Sequence, residues 1–161
     1  MPMHNQIASI DWPQTLRRYL GVSIVAHLIW EVLQLPLYTV WTTGTLTQQA
    51  FAVLHCTLGD TMIAGLSLLV ALALFARATW PSTGIVRVFA VSLVIGLAYT
   101  VYSEWLNVSV RRSWAYSDLM PVIPVLGTGL APLLQWLVVP TLAHWIAIGR
   151  PPWIDQRDPQ R

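Results

Sequence analysis

The chain contains no lysine and a single cysteine, Cys56, and charged side chains make up only 10% of its 161 residues. Each shortage removes a class of explanation. One cysteine cannot close an intrachain disulfide and leaves no CxxC pair for a metal or redox motif. Soluble domains carry roughly 25% charged residues, so this composition departs toward the membrane. The net charge is only +2, and no basic patch is interleaved with aromatics, so nucleic acid is not an expected partner. Internal repeats and low-complexity tracts are also missing.

What is present is apolar: 55% of residues are hydrophobic, and the mean hydropathy is +0.58. Four long apolar segments, about 19–41, 51–76, 84–108 and 122–148, each exceed the roughly 20 residues that cross a hydrocarbon core as a helix. The expected fold is all-α: a polytopic integral membrane four-helix bundle, with residues 1–161 as one membrane domain. Within lipid only helices and closed barrels satisfy their own backbone. The tail 149–161, with adjacent prolines and mixed charges, is expected to be extended. Arg17, Arg18, Arg77, Arg87, Arg150, Arg157 and Arg161 fall on one side of this layout, and only Arg111 and Arg112 on the other. The arginine bias therefore places both termini in the cytoplasm. Trp12, Trp80, Trp114 and Trp153 suit the membrane–water interface.

Ionisable groups inside such segments cost roughly 2.5–3.5 kcal/mol each on insertion scales, so they need a reason. In the first segment Ser23, Glu31, Gln34 and Tyr38 fall within about 40° of His27 on a helix. That polar stripe must face other helices or water. The second segment brings Asp60 with Cys56. His55 points about 140° away from Asp60 on an ideal helix. The third carries Gly96, Thr100, Glu104, Asn107 and Arg111 on one side, where Arg111 is a candidate partner for Glu104. The fourth supplies Gln135 beside Trp136, and Trp105 adjoins Glu104; both tryptophans are candidates for shaping a pocket. His144 lies away from Gln135 and reads as an interface residue. Taking segment midpoints as the bilayer centre sets Glu31 and Asp60 near the midplane. The connector of residues 111–124 would close over the cluster as a lid, with Tyr116 at headgroup level.

Three functions suit this constellation. The leading one is binding or handling a small ligand, a metal ion or a proton, with Asp60, Asn107, Gln135, Trp105 and Trp136 as ligand-binding candidates. A metal ion would draw on His27, Glu31, His55, Asp60 and Glu104, residue types that ligate metals in bundle cores. Haem held by His27 and His55 is the less favoured cofactor. The second is an intramembrane acid–base enzyme on a lipid or isoprenoid, with Glu31 or Glu104 as acid and His27 as base; burial disfavours the charged carboxylate. The third is an accessory subunit whose polar stripes only join helices. The expected partners are the lipid bilayer and a small apolar or lipid-like ligand, with self-association left open.

At "HLIWE", residues 27–31, the chain resembles the EXPERA-type membrane domain of sterol isomerases. The further features of that resemblance are Asp60 or Glu104, and Gln135 with Trp136 ahead of Pro140. It would imply isomerisation of a ring double bond, although Gln135 stands where that family has asparagine. The combination "LHCTLGD", "YSEWLN" and "GLAPLLQW" resembles more closely the uncharacterised small bacterial four-helix integral membrane families. That resemblance implies the bacterial inner membrane and brings no activity with it.

Overall fold

The structure, a computed structural model, describes residues 12–76, 80 and 83–148. Helix α1, Trp12–Gln34, continues through a 3-10 turn, Leu35–Leu37, to a one-turn helix α2, Val40–Thr43. Helices α3, Leu46–Phe75, and α4, Ile85–Glu104, follow, and a π-helical turn, Trp105–Val110, extends α4. An antiparallel hairpin, β1 Val122–Ile123 and β2 Thr128–Gly129, leads into α5, Leu130–Ile148. Helices α1 and α4 each pack on both α3 and α5, so the four long helices close a ring. All four are long and apolar enough to cross a membrane. The expected tail 149–161 and residues Arg77 and Trp153 lie outside the described residues.

The helix ends differ from the apolar segments for local reasons. Helix α1 stops at Gln34 rather than 41 because Pro36 lacks an N–H and disfavours the helical region for the residue before it. Since α1 begins at Trp12, Glu31 stands near its end and not at the midpoint of a 19–41 span. Helix α3 starts at Leu46 because Thr45 and Gln48 form a capping box, with reciprocal bonds of 3.3 and 2.8 Å. Residues 122–129, expected to begin the fourth helix irregularly, form the hairpin instead, and α5 starts after it.

Two connectors are stitched together at one end of the ring. Thr39 N–H donates to the Ala115 carbonyl and Ser117 N–H to the Leu37 carbonyl, each at 2.9 Å, with Tyr38 and Tyr116 paired between them. These bonds satisfy backbone groups that lipid could not serve.

Helix α1 is polar inside and apolar outside. Its buried residues are Thr15, Tyr19, Ser23, His27, Glu31 and Gln34, whereas Val25, Ile29, Val32 and Leu33 lie exposed, Leu33 by 72%. In water this arrangement would waste the hydrophobic driving force; in hydrocarbon it lets polar groups bond across helices. Away from the connectors, small residues (Ala64, Ala71, Ala143 and Ala147) let the helices approach around Tyr19, Leu68 and Val88.

Trp136 of α5 is the largest fully buried side chain, and it lies on Gly96 of α4. A Cβ at Gly96 would come within 2.0 Å of the indole ring. Gly96→Ala should therefore cost about 1–3 kcal/mol through overpacking. Gly21→Ala, where a Cβ meets nothing within 4 Å, should stabilise by up to about 1 kcal/mol. Denaturant titration of the detergent-purified variants, followed by tryptophan fluorescence, checks the opposite signs.

Candidate functional site

A cavity of about 370 Å³ reaches all four long helices and both connectors. Glu31 and Gln34 of α1, Asp60 of α3, and Gln135 of α5 form one wall, and Glu104 of α4 belongs to another. Met62 of α3 and Tyr99 of α4 also line it while exposed on the outer surface. His55 and Arg111, which are also exposed, line it too.

The centre of the first wall is the Gln135 side-chain amide. Its nitrogen lies 3.0 Å from His27 Nδ1, 2.9 Å from Glu31 Oε1 and 3.0 Å from Asp60 Oδ2. Gln34 Nε2 donates to Glu31 Oε1 at 2.8 Å and to Gln135 Oε1 at 3.4 Å, and Trp30 Nε1 donates to Gln34 Oε1 at 3.1 Å. The Gln135 amide is thereby oriented, since turning it over would set its carbonyl oxygen against two carboxyl oxygens. Gln34 also serves Glu31 Oε1, so the two amides together can meet the acceptors of this wall. What the Gln135 nitrogen does is bring two carboxyl groups from different helices within 3.0 Å of one atom, with no arginine paired to either among the described residues. His27 is fully buried, its ring centroid is 5.9 Å from that of Trp136, and its Nε2 has no hydrogen-bond partner among the described residues.

Glu104 is held differently. The Tyr116 hydroxyl donates to Glu104 Oε2 and accepts the Gly129 N–H at 2.9 Å. Burial first, and then the neighbouring Glu104, push the Tyr116 hydroxyl above the ordinary tyrosine range. It therefore stays the donor. Burial, with Glu104 and Glu31 nearby, likewise holds Tyr38 well above that range.

The expected Glu104–Arg111 pair does not form. Among the described residues the only ion-pair contact joins His27 Nδ1 and Asp60 Oδ2, at 3.7 Å. The π-helical turn after Glu104 changes the angular step per residue, so two turns no longer bring Arg111 over the carboxyl.

The remaining candidates are divided. Asn107 lines the cavity, but its amide is tied back to the Ser103 carbonyl at 2.9 Å. Trp136 lines the cavity from within; Trp105 turns outward, 50% exposed, against Tyr102. Trp114 also borders the cavity rather than standing only at the interface. His55 stacks on exposed Phe51 at the cavity edge, and His144 stacks on Phe89 elsewhere. Among the described residues no group of three or more His, Cys, Asp or Glu side chains is placed to hold a metal ion. The five-residue set of His27, Glu31, His55, Asp60 and Glu104 is not drawn together, because an amide nitrogen sits among its inner members. The role of Tyr116 had no signal in the sequence beyond its place in the connector.

Tyr116→Phe should strand the Glu104 carboxyl and the Gly129 N–H, at a cost of about 1–3 kcal/mol. Amide exchange around Gly129 should quicken by the corresponding factor. For wild type the raised hydroxyl makes a stability contribution fully present below pH ~10 and lost as the pH climbs above it. That contribution should vanish in Tyr116→Phe.

Comparison with protein-family models, curated proteins and solved structures finds no match to this chain.

Proposed function

We propose that this chain is a multi-pass membrane protein, both termini cytoplasmic, whose cavity binds a small, largely apolar molecule by its polar end. In this reading a proton held between Glu31 and Asp60 neutralises the site when the molecule is absent. The bacterial inner membrane is the proposed location. The observation that carries the proposal is the pair of carboxyl groups, Glu31 and Asp60, that share the Gln135 amide nitrogen on the wall of a 370 Å³ cavity.

The inside-out character of α1 supports the bilayer as solvent, and the exposure of Met62 and Tyr99, which line the cavity, supports entry from the lipid phase. An accessory role confined to helix packing would call for no cavity. A second reading, an acid–base enzyme, draws support from Glu104, held by Tyr116, lining the same cavity as Glu31. In it Glu104 or Glu31 would deliver a proton to an apolar substrate, and His27, bonded to Gln135, would tune the first wall from behind.

Gly59 gives a direct test, because it lines the cavity and a Cβ there meets nothing within 4 Å. Gly59→Phe should fill the space without disturbing the helices. Benzyl alcohol added to wild type in nanodiscs should change tryptophan emission saturably, and Gly59→Phe should lose that response while unfolding as wild type does. Equal responses from both proteins would contradict a binding cavity.

A further inference from the structure

The cavity presents three carboxyl groups, Glu31, Asp60 and Glu104, from three different helices. Its lining includes one cation, Arg111, which is paired with none of them. The amide and hydroxyl donors beside the acids are committed: Gln34 and Gln135 serve the first wall, and Tyr116 serves Glu104. An added anion would find Arg111 and the Trp114 indole N–H in the lining, against three carboxyl groups. A neutral alcohol would gain one hydrogen bond and leave the charge imbalance untouched. A cation would exchange for the proton between Glu31 and Asp60, so the total charge of the buried space would not change. The rest of the lining suits the organic body of such a cation. Tyr38, Tyr99, Trp114 and Trp136 are part of it, and aromatic faces attract ammonium groups by about 0.5–2 kcal/mol each where water is excluded.

Resting on the cavity's role as a binding site, we propose that its ligand is an organic cation, an amine or quaternary ammonium on an apolar body, seated between the Glu31–Asp60 wall and Glu104. No bond of the ligand forms or breaks. As one cation enters, one carboxyl proton of the Glu31–Asp60 pair passes to water, leaving the total charge of the cavity unchanged. Entry past Met62 and Tyr99 would admit the apolar body, and the carboxyls select the charge.

Cys56 is the chain's only cysteine. It lines the cavity within the electrostatic reach of Glu31, Asp60 and Glu104, which makes it a reporter in the unmodified protein. Three methanethiosulfonates, carrying ethyltrimethylammonium, methyl and ethylsulfonate groups, are applied to purified protein in nanodiscs. Labelling is followed by mass spectrometry, with each rate normalised to that of a free thiol. The trimethylammonium reagent should label Cys56 at least about tenfold faster than the sulfonate, given the size of one short-range charge interaction. Benzyltrimethylammonium should slow that labelling saturably, and Glu104→Gln or Asp60→Asn should shrink the charge preference.

Sulfonate or methyl labelling as fast as cationic labelling would overturn the cation assignment and leave a cavity that binds neutral molecules. Failure of all three reagents on folded protein, with labelling restored by denaturation, would overturn both this inference and the cavity's role.

Discussion

Everything at the connector end of this molecule depends on one primary amide whose nitrogen is shared by two carboxyl groups and a histidine. Gln135 reaches from α5 to His27 and Glu31 of α1 and to Asp60 of α3, all within 3.0 Å. Three of the four long helices are thereby registered against one another by a single side chain. In low dielectric an unmade bond at such a point is expensive. The same atom holds two carboxyl groups close together, and two ionised carboxylates so placed repel each other. The proposed shared proton relieves that repulsion, and in this account whatever displaces it must supply a positive charge.

The surrounding fold protects this arrangement. Outward-facing aliphatic residues of α1 leave its polar stripe no place except the interior. Small residues at the far end hold the helices close, while the clasped connectors keep them apart around the cavity. Glu104 is tethered to that clasp through Tyr116, which also receives the Gly129 N–H before α5 begins. The connector is thus part of the site's wall as well as its cover. Strain of register at the π-helical turn accompanies this, since the same turn carries Arg111 away from Glu104.

How much of this could be read in advance follows from the nature of each signal. The 100° step of a helix was enough to put Ser23, His27, Glu31 and Gln34 on one face, and all four are buried. Apolar length alone marked four helices, because helices that exclude water need long uninterrupted runs. Helix ends were less legible. Pro36 and the Thr45–Gln48 capping box act through local backbone chemistry that a hydropathy window smooths away. The Tyr116–Glu104 bond joins residues on either side of a π-helical turn, so no fixed periodicity could relate them. Gln135 was visible as a polar residue in an apolar helix; its place at the centre came only from the packing of α5 against α1.

The measurement that bears most directly on the account is the infrared spectrum of the purified protein near neutral pH, wild type beside Glu31→Gln, Asp60→Asn and Glu104→Gln. A carboxyl proton shared between Glu31 and Asp60 should give wild type a hydrogen-bonded COOH stretching band that shifts in deuterium oxide. Either single substitution in the pair removes one of the two mutually repelling carboxyl groups and should remove that band, whereas Glu104→Gln should retain it. A wild-type spectrum without such a band, or one whose band survives both Glu31→Gln and Asp60→Asn, would contradict the account.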